Sequence, residues 1–187
     1  MRRIFKMENE KKEFIKYSRP VAGFAGAVFG GVFFLIGIFM GGELTPFYHV
    51  LVILFGAAIA AGCIYSIIKY NNKIKQFESN GEMVTILSDF RNGTRAFDDK
   101  LIAGQVWLIG KKTGTIIKYS DITRMYQTVH KTNYVEDGRS VTAVTKDGKT
   151  HELCKLKLRG KSSDELNDFF AYINSRNPEI HFGYDGV

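Results

Sequence analysis

Two apolar stretches decide the architecture of this chain: PVAGFAGAVFGGVFFLIGIFM at residues 20–40 and FYHVLVILFGAAIAAGCIYSII at residues 47–68. Neither stretch contains Lys, Arg, Asp or Glu, and only GGELTP at residues 41–46 separates them. A helix of about 20 apolar residues crosses the ~30 Å hydrocarbon core of a bilayer. The sequence therefore predicts a two-helix transmembrane hairpin. Length and lack of charge argue against a buried core helix. A cleaved signal peptide is also disfavoured, because the first stretch is longer than a signal-peptide apolar region of ~7–15 residues and follows a segment that contains Glu8, Glu10 and Glu13.

Basic residues on either side of these stretches predict the orientation of the hairpin. Seven Lys and Arg residues lie within residues 1–19 and three lie within residues 69–75, whereas the connecting loop has none. Basic residues that flank transmembrane helices stay on the cytoplasmic side. The chain is therefore predicted to cross the cell membrane twice, with both termini in the cytoplasm.

Most of the formal net charge of +7 lies next to the predicted membrane spans. Residues 1–19 contribute +4 and residues 69–78 contribute +2, whereas residues 79–187 contribute only +2. The juxtamembrane excess predicts contact with the anionic lipids of the inner leaflet. A nucleic-acid-binding domain would be strongly basic, so no nucleic-acid partner is predicted.

Small residues recur at helical spacing in both apolar stretches. Gly26 and Gly30 form such a row in the first stretch, and Ala58 and Gly62 form one in the second. Small residues let helix backbones approach closely in lipid. The rows predict that the two helices pack on each other within one chain, and self-association of chains is the alternative.

The remaining chain is predicted to form a helical stalk over residues 69–81 and one cytoplasmic domain over residues 82–187. Asn92-Gly93, Asp137-Gly138 and Asp147-Gly148 are interpreted as turns. The predicted strands are Met83–Phe90, Thr94–Phe97, Leu101–Ile109, Thr115–Tyr119, Ile122–His130, Arg139–Lys146 and Lys149–Leu158. Short strands separated by turn signals are typical of an antiparallel sandwich or barrel.

A single amphipathic helix is predicted to close the domain. Ser162 and Glu165 have the spacing of a capping box, and Asn177-Pro178 ends the helix because the residue before Pro disfavours the α conformation. The apolar face of this helix consists of Leu166, Phe169, Phe170 and Ile173.

About seven short strands followed by one C-terminal helix is the order of the pleckstrin-homology-like (PH-like) fold. The stretch IKYSDI at residues 117–122, the apolar face of the last helix and NPEI at residues 177–180 carry this similarity. The whole chain resembles small membrane-anchored bacterial proteins with a PH-like domain. The resemblance implies an α+β membrane protein with a PH-like barrel or sandwich, and it implies a binding or scaffolding role.

The sequence carries no motif that names a reaction. Cys63 and Cys154 are interpreted as packed thiols in a reducing compartment. The four His residues lie in separate segments without metal-ligand spacing, and neither a phosphate loop nor a nucleophile elbow occurs. We therefore expect a protein that is not an enzyme and that needs neither a metal nor a cofactor.

Basic residues of the domain form the candidate interaction surface, which consists of Arg91, Arg95, Lys155, Lys157, Arg159 and Lys161. The last four alternate with other residues and so point to one face of a strand. Such a surface could bind anionic lipid headgroups, or it could be a solvated face that protects a strand edge. The nearly neutral domain favours a protein partner. The predicted function is a membrane-tethered interaction module, and a headgroup-binding domain is the alternative.

Overall fold

The computed structural model describes residues 2–39, 46–133, 135–156 and 162–183, and it divides the chain into two compact units. The helical unit is Pro20–Asn80. The sheet unit is Met1–Arg19 together with Gly81–Val187. Residues 1–19, whose basic side chains predict a cytoplasmic juxtamembrane segment, are grouped in one compact unit with Gly81–Val187. The predicted loop between the apolar stretches lies outside the described residues, except for Pro46.

Two apolar helices, α2 (Val21–Phe39) and α3 (Pro46–Ser79), form the helical unit. They approach closely where small residues meet: a Cβ atom added to Gly30 would lie 2.7 Å from the Ala60 backbone nitrogen. Large apolar side chains such as Phe29 and Phe55 are exposed on both helices. Within the described chain, one helical segment, Val50–Ser79, is long and apolar enough to cross a membrane.

Two further helices flank the helical unit in sequence: α1 (Arg2–Ser18) and α4 (Met83–Asn92). The first ends before Pro20, consistent with the restriction that Pro places on the preceding residue. The long helix α3 ends at Ser79 as expected, and Gly81 follows with a φ of +72°, a conformation that glycine adopts without steric cost.

Residues 83–90, predicted to be a strand, are helical in α4. The β-branched residues of MVTILSDF favoured the strand interpretation. However, Met83, Ile86 and Leu87 are buried at the i, i+3, i+4 spacing of a helix, which overrides that propensity. The predicted hairpin turn at Asn92-Gly93 is also wrong, because Gly93 ends the helix in an extended conformation and its N–H bonds to Asp89 O.

The first sheet is an antiparallel meander in the order β1-β2-β3-β4. Its strands are β1 (Thr94–Ala96), β2 (Leu101–Ala103), β3 (Trp107–Gly110) and β4 (Ile116–Lys118). The single long strand predicted over residues 101–109 is divided by a turn, in which Gly104 N–H donates to Trp107 O over 2.9 Å. The Asp89 carboxylate of α4 accepts hydrogen bonds from the amides of Val106 and Trp107, which fixes this turn.

The second sheet has the order β7-β6-β5-β8. Its strands are β5 (Ile122–Thr132), β6 (Val135–Thr145), β7 (Thr150–Leu156) and β8 (His181–Phe182). Asp137 and Gly138, predicted to turn, lie within β6 instead, and the β5–β6 hairpin turns next to Asn133, whose φ is +51°. Unlike the other pairings, β8 runs parallel to β5, and no sequence pattern predicted it.

One core joins both sheets to the last helix, α5 (Ser162–Arg176). Leu108 of β3, Val141 of β6 and Ile173 of α5 all belong to this core and are fully buried. Phe169 is 5% exposed, whereas Phe170 is partly buried against the edge of the core. The sheet unit is therefore an α+β structure in which α5 supplies one apolar face, as its spacing predicted.

Candidate interaction surfaces

Two of the predicted surface residues lie against the N-terminal helix. Arg91 of α4 places its Nη1 atom 3.1 Å from Glu10 Oε1 of α1. Arg95 of β1 is paired with the carboxylate of Asp99, and its guanidinium lies 5.9 Å from the ring centroids of Tyr17 and Phe90. Both arginine side chains therefore contact other residues of the sheet unit.

Asp99 is the centre of a polar cluster that also contains Tyr17, Arg95 and Lys111, hereafter the Asp99 cluster. Lys111 Nζ lies 2.7 Å from Asp99 Oδ2 and 5.5 Å from the centroid of the Tyr17 ring. Burial acts to raise the pKa of the Asp99 carboxyl, but hydrogen bonds from Lys111 and Arg95 outweigh it, and the pKa lies below its ordinary value. The cluster therefore holds an ionised carboxylate between two cations.

The turn that carries Asp99 has an unusual backbone. Phe97, Asp98 and Asp99 have φ angles of +56°, +58° and +61°. Each left-handed non-glycine residue costs roughly 1–2 kcal/mol, so neighbouring contacts must hold the turn. Phe97 N–H donates to Glu165 Oε1 over 2.6 Å, and the Tyr17 hydroxyl donates to Asp99 O over 2.9 Å. Glu165, predicted to cap its own helix, thus bonds to the β1–β2 turn.

The end of α1 is inserted into the sheet unit. Phe14 is fully buried and packs edge-on against Phe90, with the ring centroids 5.6 Å apart. The carbonyl of Tyr17 accepts from Lys112 N–H over 2.7 Å, and the carbonyl of Ser18 accepts from Gly114 N–H over 2.8 Å. Burial, and then the nearby Asp99 carboxylate, raise the pKa of Tyr17. The β3–β4 turn therefore caps α1.

Sequence reasoning missed Glu10, Tyr17, Asp99 and Lys111 as partners of the predicted arginines. The helical spacing of Phe14 and Tyr17 was an available signal that one face of α1 is buried. No local pattern, however, could pair Glu10 with Arg91, because the two residues are 81 positions apart.

The second group of predicted surface residues is described only in part. Lys155 is exposed between the buried residues Cys154 and Leu156, as the predicted alternation requires. Lys157, Arg159 and Lys161 lie outside the described residues. The Lys155 carbonyl accepts from Lys100 Nζ over 2.8 Å, which ties the end of β7 to the β1–β2 turn.

The predicted small-residue rows contribute unequally to helix packing. Gly26 of α2 faces the Cys63 side chain, and Gly30 faces Gly56 and Ala60 of α3. By contrast, Ala58 and Gly62 are exposed, and a Cβ atom added to Gly62 would meet nothing within 4 Å. Residues 56, 60 and 63 share one helical face at i, i+4, i+7 spacing. The face with Ala58 and Gly62 therefore points away from α2.

Potential catalytic groups meet on the second sheet without the geometry of a catalytic relay. His130 Nε2 lies 3.0 Å from Ser140 Oγ and 4.0 Å from Glu152 Oε2. A Ser-His-acid relay uses opposite nitrogens of the imidazole ring, whereas both contacts here involve Nε2. Among the described residues, no group of three or more His, Cys, Asp or Glu side chains is arranged to hold a metal ion.

Cys154 is a buried thiol with 2% of its surface exposed. Burial raises the pKa of this thiol to about 12. Because the thiolate is the reactive form of cysteine, Cys154 is held in its unreactive state, consistent with a packing role.

Comparison with family models, with curated proteins and with solved structures finds no match to this chain.

Proposed function

We propose that this chain is a two-pass protein of the cell membrane, with α2 and α3 as a transmembrane hairpin and both termini in the cytoplasm. The exposed apolar side chains of both helices support this proposal, since burial in lipid would remove them from water. The absence of Lys and Arg from residues 41–46, between basic flanking segments, supports the orientation.

Cysteine labelling in intact cells tests this topology. A cysteine introduced by Thr45→Cys should react with a membrane-impermeant maleimide, whereas Glu179→Cys should react only after permeabilisation. Native Cys154 should contribute little signal because it is buried, and a Cys63→Ala background removes the other thiol. Labelling of Glu179→Cys in sealed cells would contradict the cytoplasmic assignment of the C-terminal unit.

We further propose that the sheet unit is a PH-like module without catalytic activity. A four-stranded meander, a second sheet that begins with three antiparallel strands, and a following helix packed into the shared core support this assignment. The parallel strand β8 is an addition to the order on which the resemblance was based.

The proposed role of the module is to bind a protein partner at the inner face of the membrane, as an adaptor or accessory subunit. The observation that carries this proposal is the internal pairing of cations: Arg91 with Glu10, and both Arg95 and Lys111 with Asp99. A lipid phosphate would have to compete with carboxylates already in place. This competition disfavours the alternative, an anionic-headgroup site at the same residues.

Photo-crosslinking in the producing cell distinguishes the two functions. A diazirine amino acid, which captures both lipid and protein, would replace Thr94, Ser120 or Val135 in separate full-length variants, because all three are exposed. We expect protein adducts of one discrete mass at some of these positions and not at others. Lipid adducts at position 94, next to Arg95, without protein adducts anywhere would favour the headgroup-binding alternative.

A further inference from the structure

The helical unit is connected to the rest of the chain by a very short segment at each end. The helix α1 ends at Ser18 and α2 begins at Val21, whereas α3 ends at Ser79 and α4 begins at Met83. Two residues therefore form the first connection and three form the second. Three fully extended residues span at most ~11 Å, which is far less than the ~30 Å of a bilayer core. Neither connection is long enough to cross a membrane.

The two helices beyond these connections, α1 and α4, belong to one compact unit. Phe14 of α1 is fully buried, and its ring centroid lies 5.6 Å from that of Phe90 in α4. The ion pair between Glu10 and Arg91 also joins the two helices. Because α1 and α4 contact each other and both connections are short, the start of α2 and the end of α3 must lie on the same side of a membrane.

The order of these contacts along the chain constrains when α1 can dock. The residues that hold the end of α1 all follow α3 in the sequence, namely Phe90, Asp99, Lys112 and Gly114. The hydrogen bond from the Tyr17 hydroxyl to Asp99 O, for example, joins residues that are 82 positions apart. Synthesis of the chain therefore produces α1 before the two apolar helices and its partners after them. Docking of α1 can be completed only after the hairpin has been made.

We propose that α1 is a topological clasp for the hairpin. Its docking into the sheet unit is completed only when both ends of the hairpin lie on one side of the membrane, and docking then holds them there. This inference rests on the proposed two-pass topology and adds a second determinant to the basic flanking residues. With α1 on the opposite side, Phe14 could not pack on Phe90, and the amides of Lys112 and Gly114 would lose the carbonyls that they bind.

The test uses the full chain and separates the clasp from the flanking charges. A charge variant has Gln in place of four of the seven basic residues that precede α2: Arg2, Arg3, Lys12 and Lys16. The variant also carries Asn9→Cys, at an exposed position of α1, in a Cys63→Ala background. A membrane-impermeant maleimide applied to intact cells then labels only the molecules whose α1 lies outside.

The clasp and the flanking charges predict different labelling of the charge variant. If charge alone set the topology, α1 should lie outside in part of these molecules. We expect instead that Asn9→Cys stays unlabelled, because α1 still docks. Adding Phe14→Asp should break the clasp and raise the labelled fraction well above background. Met7→Asp is the matched control, because it adds the same charge to the same helix at a residue that is 50% exposed, and labelling should stay at background.

A second measurement keeps the proposal testable if Phe14→Asp does not accumulate in cells. A membrane-permeant bis-maleimide should join Glu10→Cys to Arg91→Cys in the parent and in the charge variant alike, because the two native side chains are 3.1 Å apart. Loss of this crosslink in the charge variant would overturn the proposal, as would equal labelling after Phe14→Asp and Met7→Asp.

Failure of the clasp and failure of the proposed topology give different results. If Asn9→Cys and Glu179→Cys are unlabelled in sealed cells of the parent, but the charge variant is labelled without Phe14→Asp, the two-pass topology stands and the clasp is wrong. If the parent chain is labelled at either position in sealed cells, the proposed topology itself is wrong.

Discussion

Asp99 is a single residue that connects three parts of the sheet unit: β1, the β3–β4 turn and α1. Its carboxylate pairs with Arg95 and Lys111, and its carbonyl accepts the Tyr17 hydroxyl. The residue also has a left-handed backbone, which Asp and Asn tolerate better than most residues. Asp99 therefore suits both the conformation of the turn and the charge of its surroundings.

Asp99→Asn should keep the turn and remove the charge. Because its pKa is lower in the folded protein, Asp99 stabilises the fold above the unfolded pKa of ~3.9, and this contribution is lost as the pH falls through the folded value. We expect Asp99→Asn to lower the free energy of unfolding at pH 7 by roughly 0.2–1 kcal/mol for each exposed ion pair that is lost. The variant's stability should also depend less on pH in the acidic range. Thermal unfolding from pH 2 to 7 measures both effects. The exposed Asp168→Asn is the control, and an unchanged acid profile in Asp99→Asn would contradict this role.

Packing between α2 and α3 depends on one face of each helix. Backbone atoms of α3 lie where a side chain at Gly30 would begin, whereas Gly62 faces open space. Contacts this close require residues without a large side chain, and they explain why the helical unit uses glycine there.

Gly30→Leu should force α2 and α3 apart, whereas Gly62→Leu is its matched control on the open face of α3. Overpacking costs typically ~1–3 kcal/mol in soluble cores, and we expect a loss of this order for Gly30→Leu alone. Unfolding of the full chain in detergent, followed by circular dichroism, measures the difference. Equal stability of the two variants would show that Gly30 does not limit the approach of the helices.

Two adjacent phenylalanines of the last helix, Phe169 and Phe170, differ in burial. Phe169 is 5% exposed and packs edge-on against Phe97, with the ring centroids 5.1 Å apart. Phe170 is only partly buried and lies beside Phe182 of β8, also at 5.1 Å. The first phenylalanine therefore belongs to the core and the second to its edge.

Phe169→Ala should destabilise the sheet unit by roughly 3–5 kcal/mol, the usual cost of truncating a buried Phe. Phe170→Ala should cost clearly less, because part of its surface is already exposed to solvent. Chemical denaturation of the full chain, monitored by Trp107 fluorescence, compares the two variants. A larger loss for Phe170→Ala would contradict the placement of α5 in the core.

The sheet unit combines two segments that are far apart in the sequence. The N-terminal helix α1 belongs to the sheet unit, although 61 residues of the helical unit separate it from Gly81 in sequence. A fragment that begins after α3 would therefore lack the helix whose Phe14 is fully buried and whose terminal carbonyls bind the β3–β4 turn.

Phe14→Ala in the full chain should destabilise the sheet unit by about 3–5 kcal/mol. It should also increase amide exchange at Lys112 and Gly114, because these amides bond to the end of α1. Met7→Ala is the control on the same helix, since Met7 is 50% exposed. Unchanged exchange at both amides in Phe14→Ala would show that α1 is not held by this contact.

The sequence by itself determined the apolar helices, the end of α3, the last helix and most of the strands, because each depends on local periodicity of apolar residues. It could not decide α4, where helical burial overrides strand propensity, or β8, which is too short to carry a pattern. The ion pairs Arg91–Glu10 and Arg95–Asp99 are visible only in the tertiary structure. The same holds for the contact of the Arg95 guanidinium with the Tyr17 ring. The physical reason is that a charge is free or neutralised according to its neighbours in space, and folding brings those neighbours from distant parts of the chain.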